Sequence, residues 1–277
     1  MDEHQDLRLL LNEVFKVRGI DFSQYRENLI ERRVAVRLRA TKNSTYEEYM
    51  RFLKSNREEM EALLDALTIN VTQFFRDTRV FEAIKRKVIP ELFNKDTIGN
   101  RKIVRIWSCG LFGGEEAYSI AILLLEALKE EISDFDIIVY GTDVDPACIE
   151  KGKAGIYTAG SMKEINKERL TKYFNKKEEN YEVNDSIKKL TRFTAHNLVS
   201  DEFIKHLDLI LCRNVVVYFT KPLQEMVYSN FARALNKDGF LVLGKVESLR
   251  GFAQKHFAAF DNRERIYRNN SHSMEKS

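Results

Sequence analysis

Proline is scarce in this chain: 3 in 277 residues, at Pro90, Pro146 and Pro222, none beside another. Residues 1 to 68 hold no proline and a single glycine, Gly19, so nothing there interrupts a helix. Cysteine is equally sparse. Cys109, Cys148 and Cys212 stand far apart without CxxC spacing. That excludes a disulfide framework and a zinc site, and reads as the reduced thiols of a cytoplasmic protein. Five scattered histidines with no HxxxH pair argue against any metal centre. No apolar run approaches the ~20 residues of a membrane span, and the polar, acidic start is no signal peptide. Charge of one sign is lacking too: 45 Lys+Arg against 42 Asp+Glu leave +3, too little to argue nucleic-acid binding.

What is present suits one large domain or two unequal ones, with 44% hydrophobic residues for a core and 31% charged for an ordinary surface. Residues 1–68 read as a small helical bundle. Leu7, Leu10, Leu11, Val14 and Phe15 follow helical spacing. A second helix from about Ser23 to Ala40 carries Ile30, Val34 and Leu38 on one stripe. Ser44 or Thr45 would cap a third, and Met60, Leu63, Leu64 and Leu67 mark a fourth. Residues 69–277 change to alternating strands and helices, the pattern of a parallel α/β sheet. Its expected strands are Ile103–Ser108, Asp136–Thr142, Leu207–Cys212 and Phe240–Gly244, with an edge hairpin around Asp261-Asn262. Its helices are Glu116–Leu128, one starting at Asp145-Pro146, and Pro222–Leu235. A stretch from about 158 to 192 breaks the alternation and reads as a small inserted β-subdomain.

The richest stretch is Arg105-Ile-Trp-Ser-Cys-Gly-Leu-Phe-Gly-Gly-Glu-Glu-Ala-Tyr-Ser119: a buried strand, a glycine turn and the start of a helix. This is the entrance of a nucleotide-type pocket. A pyrophosphate would lie at the helix N-terminus. Glu115 and Glu116 would repel it there, whereas a ligand with positive charge and no phosphate is tolerated. S-adenosylmethionine has that chemistry. Acidic residues in a first turn also simply favour the helix dipole, so one of the pair need not touch ligand.

Asp143 ends the second strand, where an acidic residue binds ribose hydroxyls or caps the next helix. Arg213 and Asn214 would emerge from the end of the 207–212 strand into the same crevice, with Tyr218 shortly after. Asn70-Val-Thr-Gln-Phe-Phe-Arg-Asp77 packs aromatics and an arginine into eight residues. Taken alone, it reads as a helix end with two core phenylalanines. Arg26, Arg32, Arg33, Arg37, Arg39 and Lys42 form a basic cluster against only Glu27 and Glu31. It reads as a solvated face or as a docking surface for an acidic partner.

Taken together, the blocks resemble the chemotaxis receptor methyltransferases, the CheR family. The matching blocks are Thr68–Asp77, Arg105–Ala121, Leu209–Phe219 and Gly244-Lys-Val-Glu-Ser248, supported by Tyr25…Leu29-Ile-Glu-Arg-Arg33 and Gly141–Asp145. The resemblance spans about residues 5 to 268. It implies an N-terminal helical domain and a class I, Rossmann-like methyltransferase sheet with a small inserted β-subdomain. The implied reaction is methyl transfer from S-adenosylmethionine to receptor glutamates, leaving S-adenosylhomocysteine and needing no metal. The implied partners are methyl-accepting chemotaxis receptors, with no nucleic acid and no membrane insertion, the enzyme acting as a cytoplasmic monomer.

Carried over residue by residue, the resemblance implies donor contacts from Asn70, Thr72 and Arg76, a contact of Glu116 to the amino-acid head, and Asp143 at the ribose. It implies Asn197 and Leu198 near the adenine, Arg213 and Asn214 as the arginine–asparagine pair, and Tyr218 beside the transferring methyl. Arg76 and Tyr218 are the expected catalytic residues. Arg32, Arg33, Arg37 and Arg39 are the expected receptor contacts.

The chain departs from the family at Leu111-Phe112-Gly113, where small polar residues are usual, at Ala117 for proline, and at Lys245-Val246 for a His-Ser pair. Some family members grip a receptor tail peptide through a glycine-containing loop of the β-subdomain. Here Lys176–Asn180 has no glycine, so no such tether is expected. Two other readings fit the sequence. One is a regulatory module that binds the donor without methylating receptors. The other is a nucleic-acid methyltransferase, which the isolated prolines disfavour because amino-group methylases of DNA typically use an Asn/Asp-Pro-Pro-aromatic loop.

Overall fold

A computed structural model describes residues 3–68, 72–94, 102–249 and 251–270. The chain forms two compact units: residues 1–71 with 218–223, and residues 72–217 with 224–277.

The first unit is helical: α1 (Glu3–Arg18), α2 (Glu27–Thr41), α3 (Tyr46–Ser55) and α4 (Arg57–Thr68). Thr45 caps α3, its side chain accepting from Glu48 N–H at 3.2 Å. Helix α2 starts four residues later than its periodicity predicts, because Phe22–Arg26 turns to pair with the 218–223 segment. Arg26 N–H donates to Tyr218 O at 2.8 Å, Thr220 N–H to Gln24 O at 3.0 Å, and Tyr25 bridges Phe219. Leu7, Leu10, Val14, Ile30, Val34, Tyr49, Leu63 and Leu67 make the core. Phe15, predicted to face inward, is half exposed, since it lies one step off the 7–10–14 stripe.

The second unit holds β1 (Ile103–Cys109), α7 (Glu115–Leu128), β2 (Asp136–Asp143), α8 (Pro146–Ala154), β6 (Thr191–Ala195), β7 (Leu207–Cys212), α11 (Lys221–Ala234), β8 (Leu235–Leu243), β9 (Phe257–Asp261) and β10 (Ile266–Asn269). These strands make one seven-stranded sheet in the order β6-β2-β1-β7-β8-β10-β9. Strands β6 through β8 are parallel, and β10 runs antiparallel to both its neighbours. Every residue of β7 is buried, as a central parallel strand requires. Asp145 caps α8 by accepting from Ala147 N–H at 2.9 Å, with Pro146 in the first turn. Ahead of the sheet, α5 (Thr78–Ala83), a π-helical turn (Ile84–Val88) and α6 (Ile89–Leu92) pack on its core.

The inserted piece is a separate three-stranded sheet of β3 (Ile156–Thr158), β4 (Phe174–Lys177) and β5 (Asn180–Val183), in the order β3-β5-β4. Helices α9 (Lys167–Tyr173) and α10 (Asp185–Lys188) flank it. Glu178, in the turn between β4 and β5, takes φ 52°, so this loop bears a left-handed residue without glycine.

Candidate active site

In an open parallel sheet, ligands bind beyond the carboxyl ends of the strands where the order reverses. Here that point lies between β1 and β7, whose ends are in register at Cys109 and Cys212. The turn after β1 starts at Gly110 with φ 74°, and a Cβ there would collide with Val215. Only glycine lets the turn pass. Gly110 and Leu111 N–H both donate to Thr142 O at 2.9 Å, laying the turn across the end of β2.

A crevice opens beside this turn, with about 330 Å³ of empty space that includes its open mouth. Thr72, Gln73, Arg76, Phe81, Gly110, Phe112, Glu116, Arg213 and Asn214 line it. Three segments that are distant in sequence, 72–81, 110–116 and 213–214, thus meet here. Of the predicted residues, Thr72, Arg76, Glu116, Arg213 and Asn214 come together. Asn70 lies outside the described residues. Tyr218 belongs to the helical unit, where its carbonyl accepts from Arg26.

Glu115 and Glu116 divide their work. Glu116 faces the crevice, accepting from Ser108 Oγ at 2.9 Å and Arg213 Nη1 at 3.0 Å. Glu115 is fully buried on the other side of the turn, with Ser161 Oγ at 3.4 Å and Lys151 Nζ at 4.0 Å. Burial pushes its carboxyl above the ordinary value, and Lys151 only partly opposes that.

Arg213 is 4% exposed and forked between Glu116 and Asp77 Oδ2, the latter at 2.6 Å. Its Nε is buried without a hydrogen-bond partner. Lys245 Nζ donates to the other oxygen of Asp77 at 2.9 Å. Burial works against ionisation of Asp77, but Lys245, Arg213 and Arg76 outweigh it and hold the carboxyl below its usual range.

Asp143 sits one strand over. Its Oδ2 accepts from Phe112 N–H at 3.1 Å and its Oδ1 from Asp145 N–H at 3.0 Å. Burial raises its carboxyl despite those two donors. Asp143 pairs in register with Ala195 of β6, and its carbonyl accepts from His196 N–H at 3.0 Å. Asn197 and Leu198 therefore leave β6 beside it. Asn197 Oδ1 accepts from Val199 N–H at 2.9 Å, and Leu198 is buried.

Four non-glycine residues of this region adopt left-handed backbone: Phe75 (φ 53°), Asp77 (φ 62°), Phe112 (φ 52°) and Asn214 (φ 61°). Such positions cost of order 1–3 kcal/mol each and persist only where surroundings enforce them. The enforcement is visible. Ser119 Oγ accepts from Phe75 N–H at 2.9 Å, Asp143 from Phe112 N–H, and Glu247 from Asn214 N–H at 3.0 Å.

Glu247 is the functional residue that sequence reasoning left without a role. It is 3% exposed and accepts four backbone N–H groups. Oε1 takes Val215 and Val217, both at 3.0 Å; Oε2 takes Asn214 at 3.0 Å and Gly244 at 2.7 Å. It thereby holds the whole loop after β7. Its only sequence signal was its place in the Gly244–Ser248 block.

The expected receptor-contact arginines fare differently from one another. Arg32 and Arg39 are exposed and Arg33 is half-buried. Arg37 is spent inside the helical unit: Nε and Nη2 reach the Glu59 oxygens at 2.9 and 2.6 Å, and Tyr49 Oη donates to the same carboxylate at 2.7 Å. It is a packing residue rather than a free surface charge.

A parallel sheet in this order, with one reversed strand next to its edge and a crevice-facing carboxylate where a pyrophosphate would lie, defines a class I S-adenosylmethionine-dependent methyltransferase. Residues 70–266 match the family model "CheR methyltransferase, SAM binding domain", and residues 5–68 match "CheR methyltransferase, all-alpha domain". The chain belongs to the CheR methyltransferase family. The "Chemotaxis protein methyltransferase" of Listeria innocua is 31% identical over 244 residues, spanning 88% of this chain and 90% of that protein. That of Borreliella burgdorferi is 30% identical over 251 residues, 89% of each chain. "Chemotaxis protein methyltransferase 2" of Vibrio cholerae is 31% identical over 239 residues, 83% of this chain and 81% of the relative.

Proposed function

We propose that this protein methylates glutamate side chains on the cytoplasmic region of chemoreceptors, producing glutamyl methyl esters for chemotactic adaptation. The family membership supports the reaction, and one observation carries the site: Glu116, at the helix start and facing the crevice, leashed by the buried Arg213. An anionic carboxylate there suits the ammonium of the donor's amino-acid head. The orphaned Arg213 Nε offers a charge-assisted donor to a carboxylate. Asp143 keeps spare lone pairs on both oxygens for ribose hydroxyls, and Asn197 with Leu198 borders the adenine. Thr72, Asn214 and, from the family pattern, Asn70 complete the donor's surroundings.

S-adenosylmethionine supplies a methyl group already activated on sulfonium. The protein's task is alignment, because a glutamate carboxylate is a nucleophile at neutral pH and needs no general base. Arg76 positions the incoming carboxylate, and the family pattern assigns Tyr218 to the transferring methyl. Arg32, Arg33 and Arg39 on α2 steer receptor helices rich in glutamate, an attraction that salt screens. The protein acts in the cytoplasm as a monomer, without nucleic acid; among the described residues no helix is long and apolar enough to cross a membrane.

Rates with receptor membranes and titrations with S-adenosylhomocysteine test the assignment on two variants, Arg76→Ala and Tyr218→Phe. Methyl transfer falls further than product affinity if they act at the methyl. Equal losses make them ordinary ligand contacts.

A further inference from the structure

Linked through Asp77 to the crevice-lining Arg213 stands a cation that the reaction described so far does not use. Lys245 follows β8, and its side chain is 56% exposed. Its base is fixed. A Cβ on Gly244 would lie 2.9 Å from Asn214 N, so only glycine permits this approach of the two loops. Glu247 then ties Gly244 N–H to the N–H groups of Asn214, Val215 and Val217. Residues 214–217 and 244–247 are thus tied into one piece, and Lys245 leaves it toward Asp77, the carboxylate it shares with the crevice-lining Arg213. Its tip is mobile, with four methylenes between backbone and ammonium.

Asp77 is held by two cations of opposite character. Arg213, 2% exposed in its side chain, cannot leave without stranding two carboxylates. Lys245 can leave, because its ammonium is solvated and Arg213 still neutralises Asp77. Around the crevice three cations (Arg76, Arg213, Lys245) face two carboxylates (Asp77, Glu116). The donor adds a further net positive charge, so an arriving carboxylate enters a favourable field. Methyl transfer uses one carboxylate oxygen. The other is free to be gripped, and a grip on that oxygen fixes the direction of attack.

We propose that Lys245 exchanges Asp77 for the receptor's glutamate, binding the carboxylate oxygen that does not attack the methyl. The inference rests on the receptor-glutamate reading above. It makes Lys245 a substrate-binding residue at a place where the family pattern has histidine.

The test compares wild type, Lys245→Met and Lys245→Arg. Initial rates are measured against receptor-membrane concentration, and S-adenosylhomocysteine affinity by titration calorimetry. Lys245→Met is expected to raise the receptor KM about 3–10-fold, the scale of one partly solvated charge-assisted contact. Product affinity should stay within about twofold. Lys245→Arg should restore most of the KM, and the Met variant should respond less to added salt. An unchanged receptor KM in Lys245→Met overturns the inference. So does a loss of product affinity equal to the loss in kcat/KM, which would make Lys245 a brace for Asp77 alone. If wild type itself puts no methyl ester on receptors, the receptor reading fails, and that result is distinct from either outcome on Lys245.

Discussion

Replacing Glu247 with glutamine changes one oxygen to an amide nitrogen and leaves the shape intact. In either orientation of the amide, two of the four N–H donors lose their acceptor and face another donor. Those are either Val215 and Val217, or Asn214 and Gly244. Each buried N–H left unsatisfied costs about 1–3 kcal/mol. Against this, burial holds the native carboxyl above its ordinary value, so the neutral amide recovers part of the loss. The balance is a destabilisation of roughly 2–4 kcal/mol, a large share of the 5–15 kcal/mol typical of a folded protein. The loop released carries Arg213 and Asn214. S-adenosylhomocysteine should therefore bind about tenfold or more weakly under conditions where the variant is still folded. Urea unfolding gives the first quantity and calorimetric titration the second. Wild-type stability together with wild-type affinity would refute the claim that this carboxylate holds the site's loop.

Asp143→Ala strands the N–H groups of Phe112 and Asp145 and should weaken product binding by about 1–3 kcal/mol, read by calorimetry. The folded Glu115 carboxyl titrates above its unfolded value, so its contribution to stability is present at low pH and lost as pH rises through the folded value. Glu115→Gln should accordingly raise Tm more at about pH 8 than at about pH 5, and equal shifts would contradict the assignment. Arg37→Ala leaves the buried Glu59 carboxylate with Tyr49 alone and should cost about 2–4 kcal/mol in urea unfolding, discounted for the partial exposure of Arg37. Charge reversal at Arg33 and Arg39 should instead leave stability within about 0.5 kcal/mol and lower the rate on receptor membranes at low salt.

The parts legible in sequence were those where burial writes a local pattern. Strand β7 reads as an apolar run broken only by Asp208 because both its faces are covered, and β1 and β2 end where glycine and aspartate stop the pattern. Strand β6 starts at the end of the expected insertion and runs past it, and it was not read as a strand. It lies on the sheet edge, and only Thr191 among its five residues is fully buried, so no alternation stands out. Phe74 and Phe75 are core residues as read, yet they sit in a turn before α5, with Phe75 left-handed where glycine would normally signal one. Long-range polar pairing left no trace at all. Arg37 belongs to the same basic run as Arg33, and what separates them is Glu59, 22 residues away on another helix. Three of the four N–H donors to Glu247 likewise lie about thirty residues back along the chain.

Transfer of a radiolabelled methyl group from S-adenosylmethionine to chemoreceptor membranes, followed by mild alkali, tests the central claim most directly. A glutamyl ester is cleaved by hydroxide at its carbonyl, whereas methyl groups on nitrogen are not. The account predicts label on receptor protein that is released as methanol by base, and release that is lost when the receptor glutamates are changed to alanine. Alkali-stable label, or label on nucleic acid in place of receptor, would contradict it.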